Sequence, residues 1–187
     1  MRNVEDTMQG LLPIKARWAC AAALSAALLV ASASACASPA PEHAYATPED
    51  LCGTKVSAAS LEPLLPPGKT IAARPASAVG VERCRLLVDG KVVFSSSVEK
   101  RAAGASAPDV AESAIGVGPT DTRTGTGDGR FIYSKAGAVG RVECSGRPDS
   151  SLWVTARTTR PATAADMLKL VKEYANSAAG SGVCDEL

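Results

Sequence analysis

Aromatic side chains are scarce, with two Trp, three Tyr and two Phe in 187 residues. A core here must be built from Ala, Val and Leu, and a sugar-binding platform of stacked Trp or Tyr rings is disfavoured. Histidine is scarcer still, since His43 is the only one. It lies before the segment expected to fold, which excludes a Ser-His-Asp, Cys-His or His-based zinc site from the domain. No C-x-x-C pair occurs, so a four-cysteine zinc site has no support. No cofactor is expected.

No run of basic residues is present, and charge is balanced. Three of the 20 basic and two of the 19 acidic residues precede Cys36, leaving 17 of each beyond it. A neutral chain without a basic run has no electrostatic footprint for nucleic acid and no polybasic signature for anionic membranes. Strongly apolar runs of about 20 residues, the length a membrane-spanning helix needs, are also missing.

What is present begins with an export signal, assigned to residues 1–35. A polar start ends in Lys15 and Arg17, and Met8 is an alternative initiator. The hydrophobic part runs from about Trp18 to Val30, the length of a signal-peptide core. Ala33-Ser34-Ala35-Cys36 follows. Ala33-x-Ala35 fits ordinary signal peptidase cleavage. Small residues before Cys36 also resemble a bacterial lipobox, in which that cysteine is lipidated and becomes the new N-terminus. Ala33 stands where lipoboxes usually carry Leu.

Cysteine arithmetic favours the lipid. Of Cys20, Cys36, Cys52, Cys84, Cys144 and Cys184, the first is lost with the signal. With Cys36 lipidated, four remain, an even number suited to two disulfides outside the cell. The alternative is a freely secreted protein with a spare Cys36. Residues 36–49, rich in Pro and Ala, read as a tether.

Residues 50–187 are expected to form one domain, large enough for a real core. Ser57–Leu65 predicts a short helix closed by Pro66-Pro67-Gly68. VERCRLLV (81–88) and KVVFSSSV (91–98), separated by Asp89-Gly90, predict a tight β-hairpin. A helical stretch follows at 108–115, then a Gly/Thr-rich loop over 116–129. Strand-like runs occupy 130–136, 139–145 and 151–158. Thr163 to about Ala178 reads as an amphipathic helix with Met167, Leu168, Val171, Tyr174 or Ala175, and Ala178 inward; Gly180 is positioned to end it.

An internal echo suggests duplication. Val79-Gly80 precedes Cys84 as Val139-Gly140 precedes Cys144, and an apolar triplet follows each cysteine: Val92-Val93-Phe94 and Leu152-Trp153-Val154. The expected architecture is α+β: an antiparallel sheet from a duplicated strand–strand–helix unit, helices on one face, two disulfides. Cys52–Cys84 with Cys144–Cys184 is the preferred pairing, one bridge per half. Three pairings remain open at this point.

The lipobox-like Ala33–Cys36, the tether, Leu51-Cys52-Gly53, LLPPGK at 64–69, the Asp-Gly hairpin and the C-terminal helix before Cys184 resemble uncharacterised secreted lipoproteins of Streptomyces and related actinobacteria. The resemblance spans most of the chain and carries no catalytic residues with it.

Other motifs fall away on their own terms. PGKT (67–70) ends like a phosphate loop, but Pro63 stands where the leading Gly belongs. Gly125, Gly127 and Gly129 precede a strand-like run, whereas a dinucleotide loop opens a helix. A lone calcium turn at Asp121 and Asp128 lacks the six to eight oxygens calcium takes. Ser97-x-x-Lys100 lacks the partner motifs of penicillin-binding enzymes, and in a strand its ends face opposite ways.

The expected function is a non-enzymatic module at the outer face of the cell membrane, anchored by lipid on Cys36. It binds an unidentified protein or small ligand through the 116–129 region, with Asp121, Arg123, Asp128 and Arg130 as candidate contacts. Alternatives are a freely secreted protease inhibitor and an enzyme using Asp121, Asp128 and Glu143.

Overall fold

The computed structural model describes residues 43–114, 124–147, 151–160 and 162–186. The assigned signal segment, Cys36 and the tether up to residue 42 lie outside them.

A small hairpin, β1 (Asp50–Leu51) and β2 (Thr54–Lys55), leads into α1 (Ala58–Leu61) and a 3-10 turn at Glu62–Leu64. The predicted helix is thus short and tightens where Pro63 enters. Ser57 precedes it, but its amide is taken from another element. Glu173 accepts from Ser57 N at 2.6 Å and from Ser57 Oγ at 3.0 Å.

Among the described residues the main sheet has seven strands, all pairs antiparallel. In chain order they are β3 (Ile71–Ala78), β4 (Val81–Val88), β5 (Lys91–Lys100), β6 (Thr124–Gly125), β7 (Phe131–Tyr133), β8 (Gly137–Arg141) and β9 (Leu152–Thr158). Their spatial order is β3-β4-β5-β9-β8-β7-β6. The Asp89-Gly90 turn has φ of 49° and 79°, the left-handed pair a type I′ hairpin requires. The remaining helices are α2 (Ala107–Ser113), α3 (Ala164–Gly180) and α4 (Val183–Glu186).

Strand alternation assigns the core. Leu152, Val154 and Ala156 of β9, Leu86 of β4 and Phe94 of β5 face one side. There they pack with Leu61, Leu64 and Leu65 and with Met167, Leu170, Val171 and Tyr174 of α3. Leu170 is fully buried and Leu168 only partly, which rotates the predicted stripe slightly. α3 runs through Gly180, and the left-handed residue that closes the segment is Gly182, at φ 83°.

Both bridges are Cys52–Cys84 and Cys144–Cys184, the preferred pairing. They hold the β1–β2 turn to β4, and α4 to the segment after β8. Two disulfides are consistent with an extracellular or secreted protein.

The antiparallel α+β expectation stands, with refinements. Helix α2 lies on the face opposite α3: Val110, Ala111 and Ala114 pack on Val139 and Trp153, whose neighbours Ala138 and Val154 face the main core. A three-strand meander, β3–β5, and a four-strand one, β6–β9, each followed by a helix, do occur, but the 60-residue register does not map one on the other. Gly80 is in a turn at φ 72°, Gly140 is mid-strand, and Cys144 lies beyond β8 rather than in a central strand. Strand β3 had no counterpart in the sequence reading, because Pro75 and a run of small residues give no β signal. Its pairing with β4 alone makes it a strand. Residues 124–125, read as loop, pair with Ile132 and Tyr133. The folded region also begins earlier than residue 50. His43 stacks on Tyr45 at 4.9 Å, Ala44 N donates to Gly68 O at 2.9 Å, and Tyr45 donates to the Pro66 carbonyl.

Candidate functional site

Helix α2 is short and covers only part of its face. It rests on β7, β8 and Trp153. The same face of β3, β4, β5 and the end of β9 has no helix over it among the described residues. Cross-strand register arranges that face in rows. One row runs Arg74, Arg85, Ser95, Arg157; the next runs Ala76, Arg83, Ser97, Thr155. Toward the β4–β5 turn, Leu87 pairs with Val92. Toward α2, Val81 pairs with Glu99 and Glu99 with Trp153.

These rows form a cleft of about 350 Å³ lined by Arg83, Arg85, Ser95, Ser97, Val92 and Arg157 among others. That volume sits at the lower end of ligand sites. Three arginines line it, and Arg74 shares the same face by register with Arg85, outside the lining. Among the described residues Arg83, Arg85 and Arg157 have no acidic side chain within ion-pair distance. Arg74 donates to the carbonyl of neighbouring Ala73 at 3.3 Å. Neighbouring strands lie about 4.8 Å apart, so Arg85 and Arg157 flank Ser95 with backbones about 10 Å apart. Like charges in directly opposed positions, as at Arg74 and Arg85, cost stability.

The floor is ordered. Ser97 (2% exposed) donates to Glu99 Oε1 at 2.5 Å and lies 2.6 Å from Thr155 Oγ1. Glu99, 3% exposed, is paired in turn with Arg101, whose guanidinium also reaches Ser113 at the end of α2 at 3.3 Å. This chain neutralises the buried acid locally and fixes where the cleft ends. Ser97 is therefore engaged with a carboxylate and a hydroxyl, with no histidine beside it, and Lys100 is on the other side of the strand. The S-x-x-K resemblance has no geometric support.

The contact residues proposed from sequence are not gathered here. Asp121 and Arg123 lie outside the described residues. Asp128 serves its own turn, accepting from the Thr126 hydroxyl and from Arg130 N at 3.1 Å. The Thr126 hydroxyl, first, and the Arg130 amide hold its carboxyl below the usual range. Arg130 pairs with Glu143 at 3.0 Å and lies over Phe131. Among the described residues, no three His, Cys, Asp or Glu side chains could share a metal ion, and no helix is long and apolar enough to cross a membrane. Two amides of the PGKT segment are occupied by a side chain. Asp89 accepts from Thr70 N at 2.9 Å and Lys69 N at 3.0 Å, and the Thr70 amide is the main reason its pKa is lowered.

The arginine face was missed because net charge is a sum. Arg83 and Arg85, two apart in a predicted strand, were the available signal, since that spacing places both on one face. Arg74 sits on the unpredicted β3, and Arg157 is brought alongside by the non-sequential β5–β9 pairing.

Guanidinium groups hold a permanent charge and match carboxylate or phosphate oxygens two at a time. Set beside hydroxyl donors on a rigid sheet, they are suited to holding an anion. No family model, no curated protein and no solved structure matches this chain.

Proposed function

We propose that this protein is a non-enzymatic exported binding module, held at the outer face of the cell membrane by lipid on Cys36, and that the arginine face takes an anionic ligand. One observation carries the reading. Four arginines converge on an uncovered half-face, three of them without an acidic partner among the described residues, in a domain of balanced charge. Such segregation costs folding stability, and a bound ligand of opposite charge offsets that cost. The two disulfides, the export signal and the even cysteine count support placement outside the cell.

Titration with pyrophosphate and with citrate at low salt tests the ligand class. The expected result is saturable binding that weakens as salt rises and falls at least tenfold in an Arg85→Gln/Arg157→Gln variant. Absence of binding, or equal binding by the variant, rejects the anion site. Mass spectrometry of the membrane fraction tests the anchor: a diacylglyceryl group on Cys36 is expected, and an unlipidated form in the medium rejects it.

A further inference from the structure

We infer that the anion held on this face carries an aliphatic chain: the cleft is built for a small single-chain amphiphile headed by a phosphate or carboxylate. The inference rests on the anion-binding reading above and adds the second half of the ligand.

The support is the composition of the cleft along its length. The two arginine rows occupy its middle, and its end near the β4–β5 turn is aliphatic. Val92 lines that end, beside Val93, which is itself buried in the main core. Val92 is 43% exposed, one of two large apolar side chains so exposed among the described residues. Its register partner Leu87 is half-buried beside it.

A β-bulge makes the concavity. Leu86 pairs with Phe94 and Leu87 with Val92, so Val93 is an extra residue on β5. A bulge bends its strand and increases local twist. The Val93 carbonyl accepts from Thr159 N at 2.9 Å, which fixes the segment after β9 as a wall of the cleft. An anion between Arg85 and Arg157 therefore has an aliphatic surface within reach on one side. On the other side, Ser97, Thr155 and the buried Glu99 block a chain with polar groups and an acid. Polarity thus sets the orientation, head at the arginines and chain toward the β4–β5 turn.

The occupant is a free amphiphile rather than a bilayer. Interfacial binding needs apolar groups that protrude. Here the two exposed large apolar side chains among the described residues form no single face: Val92 lines the cleft near the β4–β5 turn, and Val79 sits at the β3–β4 turn, the opposite end of the strands.

The experiment is calorimetric titration of the intact, oxidised protein with inorganic phosphate, butyl phosphate, hexyl phosphate and octyl phosphate, each below its micelle concentration. A parallel arm uses vesicles of anionic phospholipid. Affinity is expected to rise about two- to fourfold per methylene while the chain lies on the apolar end, with an increasingly negative heat-capacity change. Val92→Thr, which keeps the branched shape, should flatten the chain-length dependence. Arg85→Gln/Arg157→Gln should weaken every member of the series. Equal affinity for phosphate and octyl phosphate overturns the amphiphile while leaving the anion site standing. Binding to vesicles without binding to the monomeric series overturns it in favour of a membrane surface. No binding by any anion overturns both readings.

Discussion

Removing one arginine from the cleft should make the protein more stable, although it damages the site. Arg85 is the residue to change, because it directly opposes Arg74 and reaches across Ser95 toward Arg157. Two unit charges about 6 Å apart in water repel by about 0.7 kcal/mol, within the roughly 0.2–1 kcal/mol measured for cross-strand pairs. Arg157 adds less at about 10 Å, the Debye length near 0.1 M salt. Arg85→Gln keeps much of the side-chain length and removes the charge. It should raise unfolding free energy by about 0.5–1 kcal/mol in 20 mM salt, a Tm increase of roughly 2–4 °C. In 1 M salt, where the Debye length is about 3 Å, the gain should disappear. The assay is urea and thermal unfolding of both proteins, disulfides intact, at the two salt concentrations. A destabilised variant would refute the claim that the arginines are mutually repulsive. An equal gain at both concentrations would assign the effect to strand propensity instead of charge.

Replacing either cysteine pair by serine should cost about 4 kcal/mol in the chain-entropy account, since the bridges span 32 and 40 residues; urea midpoints of the two double variants measure this. Gly140→Ala would bring its Cβ to 2.7 Å from the buried Phe131 ring and 3.3 Å from Val154 Cγ2, so a loss of about 1–3 kcal/mol is expected from overpacking, and unchanged stability would disprove the close approach. Burial, foremost, pushes the Tyr174 hydroxyl up to about 12 from 10. An unfolded chain gives up that proton first, so stability is full below pH 10 and falls by roughly 2–3 kcal/mol as pH rises toward 12; absorbance of ionised tyrosine should then rise together with unfolding.

The elements legible in the sequence were those with local causes. The β4–β5 hairpin follows from two β-prone runs and Asp89-Gly90. The final helix follows from its apolar period and from Thr163, whose hydroxyl accepts from Asp166 N at 3.1 Å. Helix α2 gained a full capping box between Ser106 and Asp109. Ala164–Gly180 and Val81–Val88 therefore stand close to where local propensity alone would put them. Strand β3 illustrates the opposite case. Nothing local favours a strand at Ile71–Ala78, and hydrogen bonding to β4 overrides a proline and four alanines. Pro75 is tolerated because β3 is an edge.

The sequence by itself determined the class of this protein: an α+β chain with four cysteines in a pairable set, a neutral domain, and a C-terminal helix with one apolar side. Those properties depend on composition and on spacings of a few residues, which survive in a one-dimensional reading. The tertiary structure decided where the charge lies. Arg74, Arg83, Arg85 and Arg157 are spread over 84 positions of a chain whose charges nearly cancel. They meet because β3 pairs on one side of β4 and β9 joins β5 across the middle of the sheet. Strand register then turns all four to the face that α2 leaves uncovered. A summed charge carries no record of that geometry; only pairing between distant strands creates it.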